Sequence, residues 1–199
     1  VITSPPTVAG DVVITGFGGG EYGVRGAIAG LDAKTGKELW RTHTVPMGGE
    51  KGSDTWKGDS GKFGGGTAWH IGSYDPKLNL VYYGTSNPSP WSASVRGNDT
   101  SDIGQYSNLY TASTLAINPK DGKIVWHYQT TPHDGWDYDG VNELVFADLT
   151  FDGKKTPVVM QASRNGFFYV NDRATGKLLS AKQAADLHTS SFAQLLLAS

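Results

Sequence analysis

The sequence predicts an all-β chain built as part of a β-propeller, and three observations carry that prediction. Strand–turn–strand units recur along the chain. The segments between turns are short and rich in Val, Ile and aromatic residues. Glycine stands at 27 of 199 residues, roughly twice the usual share, as many tight turns require. GLDAKTGKELW (30–40) matches AINPKDGKIVW (116–126), and VNDRATGKLLS (170–180) is a third copy that has lost its Trp. SYDPKLNLVYY (73–83) keeps the pattern with a different turn. The anchors Asp32, Asp75, Asn118 and Asp172 stand 43, 43 and 54 residues apart, the spacing of propeller blades, and count out about four of them.

Each unit reads as strand, polar turn, strand. The Asp or Asn opens the turn with its side chain and a Gly takes the left-handed position. Strands are expected over 11–16, 79–85, 110–117, 123–129, 157–163 and 167–171, each bounded by Gly, Pro, Asn or Asp. Trp40 and Trp126 belong to the repeat and are expected to dock one blade on the next. From Gln183 the text changes to QAADLHTSSFAQLLLAS, without Gly or turn signals. The division is therefore a partial propeller over 1–182 and a non-propeller tail over 183–199. The opening VITSPP has the character of mid-strand, so the chain reads as a piece of something longer. Four blades leave two open edges, and such a piece is expected to depend on its missing neighbours to fold.

A net charge of −2 with 38% hydrophobic residues describes a globular chain with a real core. No basic run suggests nucleic acid or an anionic membrane surface as a partner, and no long apolar span suggests a membrane crossing. The absence of cysteine excludes disulfides and thiolate metal sites within this stretch.

The stretch most suggestive of chemistry is TPHDGWDYDG (131–140), with Asp134, Asp137 and Asp139 in six residues. In an extended or irregular loop Asp137 and Asp139, two apart, can face the same side. Two carboxylates so close require a cation between them or a proton on one; alone, the stretch equally fits a solvated acidic loop. Three other regions bring oxygens or rings. GFGGGEYGVRG (16–26) offers Glu21 among glycines that let backbone approach a ligand, and it lacks the GK[ST] of a phosphate loop. GGGTAWH (64–70) sets Trp69 beside space for a flat platform, although a core Trp is the default for most of the six Trp. In GTSNPSPW (84–91), Asn87 precedes a Pro in a rigid turn and can offer an amide oxygen to a hard cation. SRNG (163–166) is a hairpin turn with Arg164 beside it. Blade loops converge on one axial face, so Glu21, Asn87 and Asp137 are expected to meet. An oxygen-only set suits a hard cation rather than zinc or copper.

With those residues in hand, the chain closely resembles the pyrroloquinoline quinone (PQQ)-dependent alcohol dehydrogenases of the methanol and ethanol dehydrogenase group. The resemblance runs from Val1 to Lys182 and rests on GGEYGVRG, DTWKGDS, GGGTAW, SYDPKLNLVYYGTSNPSPW, TPHDGWDYDGVNE and RNGFFYVNDRATGKLLSA. It implies part of an eight-bladed propeller with PQQ near its axis, oxidation of a primary alcohol, a cytochrome c acceptor, a periplasmic location and a homodimer of the full-length protein. It also implies roles for particular residues. Glu21, Asn87 and Asp137 match metal ligands, and Asp137 also matches the catalytic base. Trp69 matches the ring beneath PQQ; Thr3, Gly19, Gly20, Thr67 and Arg164 match groups around the cofactor; Trp91 resembles a wall of the substrate pocket. Asp139 looks like the additional carboxylate of the lanthanide-dependent branch, with Ca²⁺ as second choice of metal. Gly18 stands where some relatives carry Ser, and the family's adjacent-cysteine disulfide is missing. The rival readings are a non-catalytic propeller scaffold, an inactive fragment, and a calcium enzyme acting on another polyol or sugar.

Overall fold

Residues 1–94, 96, 105–151 and 153–183 are described by a computed structural model; the tail expected over 183–199 lies outside them except for Gln183. Twelve strands among these residues form three four-stranded antiparallel sheets, each in simple sequential order. The first holds β1 (Thr7–Ala9), β2 (Val12–Gly16), β3 (Ala27–Asp32) and β4 (Glu38–His43). The second holds β5 (Ser73–Asp75), β6 (Leu80–Gly84), β7 (Ser113–Ile117) and β8 (Ile124–Gln129). The third holds β9 (Val145–Phe151), β10 (Lys154–Ala162), β11 (Phe167–Asp172) and β12 (Leu178–Gln183).

The anchors thus mark three blades in the described residues, not four. Asp75 ends the first strand of the second sheet and Asn118 follows its third strand, so two anchors fall within one blade. The unit that truly repeats is the last hairpin. Gly30 pairs with Trp40, Ala116 with Trp126 and Val170 with Ser180, and each register shifts at the following residue. The turn chemistry repeats as well. Asp32 Oδ1 accepts from the Lys34 and Thr35 amides and the Thr35 hydroxyl, and Asp172 Oδ1 does the same with Ala174 and Thr175. Gly36, Gly122 and Gly176 close these turns at φ of 71, 72 and 74°, a region that only Gly enters at no steric cost. At Asp75 the left-handed place goes to Asn79, which tolerates it.

Trp40 and Trp126 are the docking residues the repeat suggested. The Trp40 indole N–H donates to Pro119 O at 2.8 Å, and its ring fills the space a side chain on Gly122 would need. One blade on, Trp126 donates to Arg173 O at 3.2 Å and lies against Gly176. Strand β6 is buried throughout, and its alternation serves two interfaces. Val81 and Tyr83 pack with Ile14 and Ile28 of the first sheet, while Leu80 and Tyr82 pack with Val159 of the third. That is the period of two expected of a strand buried on both faces.

Topology alone decides where function can sit. In a four-stranded meander the first-to-second and third-to-fourth turns lie at one end of the blade. The second-to-third loops and the connections between blades lie at the other. The Asp-anchored turns occupy the first end. Residues 17–26, 44–72, 85–94, 105–112, 130–144 and 163–166, which hold all the suspected site residues except Thr3, belong to connections of the second kind. No helix of the described residues is long and apolar enough to cross a membrane.

Candidate cofactor and metal site

Glycine lets the backbones of these loops touch. Gly26 N–H donates to Gly65 O at 2.9 Å, Gly66 N–H to Asn87 O at 2.8 Å, and Ser86 N–H to Thr67 O at 2.9 Å. A Cβ on Gly65 would stand 2.4 Å from the Ser89 nitrogen. The glycines of GGGTAW therefore serve a crossing of main chains, rather than the open space beside Trp69 that the sequence suggested. The first and second blades each add a matching close approach. A Cβ on Gly16 would meet Ala68 O at 1.9 Å, and one on Gly84 would meet Gly140 O at 2.0 Å. Both glycines end the second strand of their sheets, and each holds the following inter-blade connection against its own sheet.

The acidic loop owes its shape to Asp134. This fully buried carboxylate accepts from the backbone N–H of Trp136 at 2.9 Å, Tyr138 at 2.8 Å and Asp139 at 3.2 Å. The chain turns tightly about it, and Asp137 and Asp139 take left-handed φ of 60 and 59°, a conformation Asp enters more readily than most residues. The two carboxylates are thus brought to one cavity by two left-handed turns, the irregular-loop alternative rather than strand alternation.

That cavity, of about 260 Å³, is lined by Gly19, Gly20, Glu21, Thr67, Trp69, Asn87, Asp137 and Asp139, with Tyr22 and Ser86 completing it. Eight of the residues singled out from sequence meet there, including all four suspected metal ligands. Glu21 lies on a short 3-10 turn (Gly20–Tyr22), and its Oε1 accepts from the Asn87 side-chain amide at 3.0 Å. The Asn87 backbone N–H donates to Asp139 Oδ1 at 2.7 Å. Thr67 is buried, with its hydroxyl 2.9 Å from that of Ser86. Trp69 is half-buried, its ring edge-on to His70.

Three suspected residues lie outside the cavity lining. Thr3 donates to the Trp69 carbonyl at 2.7 Å and so holds the backbone that carries the indole. Arg164 is exposed and reaches Asp139 Oδ2 at 3.5 Å, the outer limit of a hydrogen bond. Trp91 is exposed, and its carbonyl rather than its ring is engaged. Ser86 and Asp134 were not singled out for the site. Ser86 had a signal in its place beside Asn87, and Asp134 in the Asp-Gly that opens an Asx turn.

Burial is the main cause that pushes the Asp139 carboxyl up to about 6, with the Asp137 charge adding to it against the Asn87 amide, which favours ionisation. Two carboxylates and a third from Glu21, facing one cavity with an amide, are a donor set for a hard cation. No His or Cys lines the cavity. Among the described residues, no three His, Cys, Asp or Glu side chains stand close enough to enclose an ion as they are placed, and the Asn87 amide presents its NH₂ group to Glu21. To ligate, that amide would turn over and offer its oxygen.

Comparison with known proteins decides the family. The profile for the PQQ-type glucose/ethanol/alcohol dehydrogenase β-propeller domain matches residues 1–190. The chain belongs to this family. Among curated relatives, it is 48% identical over 192 residues to the quinohemoprotein alcohol dehydrogenase ADH-IIG of Pseudomonas putida, covering 91% of the chain and 26% of that protein. It is 44% identical over 200 residues to the lanthanide-dependent methanol dehydrogenase of Methylacidiphilum fumariolicum, covering 91% of the chain and 31% of that protein. A solved europium-containing methanol dehydrogenase superposes with a TM-score of 0.83 at 42% identity, over 92% of this chain and 34% of that one. The chain therefore spans roughly a quarter to a third of the relatives it matches. The family match extends past Lys182, where the sequence resemblance was drawn to a close.

Proposed function

We propose that the protein containing this chain oxidises a primary alcohol to an aldehyde with PQQ, and that the face described above holds part of its active centre. The observation that carries this reading is the single cavity shared by Trp69, Glu21, Asn87, Asp137 and Asp139. When bound, PQQ would accept two electrons from the alcohol carbon while a cation polarises the quinone.

The chain's own residues supply the rest. Trp69 offers one face of its indole as a flat support, its backbone carbonyl held by the Thr3 hydroxyl. Glu21, the Asn87 amide oxygen, Asp137 and Asp139 would hold the cation. Three carboxylates suit a trivalent lanthanide, with Ca²⁺ the second choice. Asp137 is half-buried at the cavity wall and would take the proton of the alcohol hydroxyl. Arg164 and Thr67 border the cofactor's place, and Trp91 stands on the substrate side. Several of the similar proteins are named quinohemoproteins, which supports a cytochrome c as the electron acceptor and, with it, a periplasmic location.

The test is reconstitution of the full-length protein with PQQ and either a lanthanide or calcium, followed by aldehyde formation from ethanol. Turnover that depends on PQQ is expected, and Asp137→Asn should keep the bound-quinone absorbance while losing about 10²–10⁴-fold in kcat. A wild-type protein that binds no PQQ, or an Asp137→Asn variant with unchanged kcat, would contradict it.

A further inference from the structure

Outside the cavity lies a buried cation with no part in the chemistry above. Arg96 is 2% exposed, and a guanidinium so placed needs its donors satisfied. Its Nε donates to Pro90 O at 2.9 Å and its Nη2 to Trp91 O at 3.0 Å, two successive carbonyls of the segment that begins at Asn87. On its other edge, Nη2 donates to the carbonyl of Asp134 and Nη1 to the Asn108 side-chain oxygen. Asn108 is itself fixed, its backbone N–H donating to Thr55 O at 3.0 Å.

His133 completes the cluster. Its Nδ1 lies 2.8 Å from Tyr106 O, 3.0 Å from Asn108 Oδ1 and 3.4 Å from Arg96 Nη1. Two oxygens nearer than the cationic nitrogen assign the proton to Nδ1, so the ring donates and does not compete for the guanidinium. Burial brings Arg96 down to about 10, with the Asp134 charge opposing; the group stays charged at neutral pH.

We propose that Arg96 is a positioning residue for the metal site: its guanidinium ties the segment carrying Asn87 to the loop carrying Asp137 and Asp139. Pro90 stands three positions after Asn87, and Asp137 three positions after Asp134. The two carbonyl anchors therefore lie the same short distance along the chain from the groups they govern. Asp134 then passes the constraint on through its carboxylate, which accepts from the backbone amides of Trp136, Tyr138 and Asp139. Only a planar fork can donate to both segments at once; the single ammonium of Lys cannot span them. This proposal rests on the site reading given above.

The test uses the full-length protein supplied with PQQ and europium(III). Arg96→Lys keeps the charge and loses the fork. It is expected to retain bound-quinone absorbance but to hold europium about 10–100-fold more weakly, as loss of a residue supporting metal ligands commonly does. Its kcat should climb back toward wild type as europium is raised. Arg96→Ala, folded with and without guanidinium ion, is the second variant, and guanidinium should restore much of its europium affinity. Unchanged europium affinity in folded Arg96→Lys, or lower thermal stability in both variants with metal affinity intact and no guanidinium effect, overturns the proposal. Wild-type protein that takes up neither PQQ nor europium overturns the site reading and the clamp together.

Discussion

The Asn87 backbone N–H donates to the Asp139 carboxylate at 2.7 Å across 52 residues of chain. Through it the connection leaving β6 and the loop leaving β8 are locked before any ion arrives. The same Asn87 presents its side chain to Glu21, so one residue joins three loops and two blades. The interactions that shape the cavity are thus made by the same groups that would hold the cation.

Asp139 is the group whose removal should discriminate between metals. With Asp139→Ala, two carboxylates remain at the cavity, and a trivalent ion loses more from that change than a divalent one. In the reconstituted full-length protein, lanthanide-supported activity should fall at least about tenfold while calcium-supported activity changes less. Steady-state rates with each metal check this, and equal losses for both would remove the assignment of Asp139 to a lanthanide.

Acid should weaken metal binding over a defined range. The Asp139 carboxyl is pushed up to about 6 in the metal-free fold, against about 3.9 in an unfolded chain. A raised carboxyl binds its proton more tightly in the folded state, so metal-free stability falls as pH rises from about 4 to about 6. Metal affinity runs the opposite way. Below pH 6 an incoming ion displaces this proton, and its apparent affinity should drop about tenfold per pH unit. Europium titrations from pH 4.5 to 7.5 measure the slope; a flat profile below 6 would refute it.

Gly84→Ala should disturb the site from outside. The new Cβ would stand 2.0 Å from Gly140 O and 2.7 Å from the Val141 Cα. These are backbone atoms that cannot swing aside, so the loop must move away from β6. A stability loss of about 1–3 kcal/mol is expected, together with weaker europium binding, because Gly140 follows Asp139 directly. Denaturant unfolding and metal titration of the full-length protein test both effects.

Much of this was legible in the sequence because local chemistry repeats where the structure repeats. The Asp32, Asn118 and Asp172 turns and the docking of Trp40 and Trp126 follow from short segments read in isolation. The blade count was not, since Asp75 mimics an anchor at a turn of another kind. Glu21, Asn87, Asp137 and Asp139 stood out as oxygen donors among glycines. What hid was support rather than chemistry. Asp134 looks like one more acid of the loop until the three backbone amides that donate to it are seen. Arg96 lies in an undistinguished stretch, and its partners come from segments 5, 12 and 38 residues away. The glycines of GGGTAW read as open space beside Trp69 because nothing in one segment says which other backbone crosses it.

The most direct measurement is anomalous diffraction from crystals of the full-length protein grown with PQQ and a lanthanide. The account predicts one ion with Glu21, Asn87, Asp137 and Asp139 oxygens about 2.3–2.6 Å from it and the quinone lying on Trp69. An ion bound elsewhere, or one that leaves Asp137 and Asp139 unligated, would contradict it.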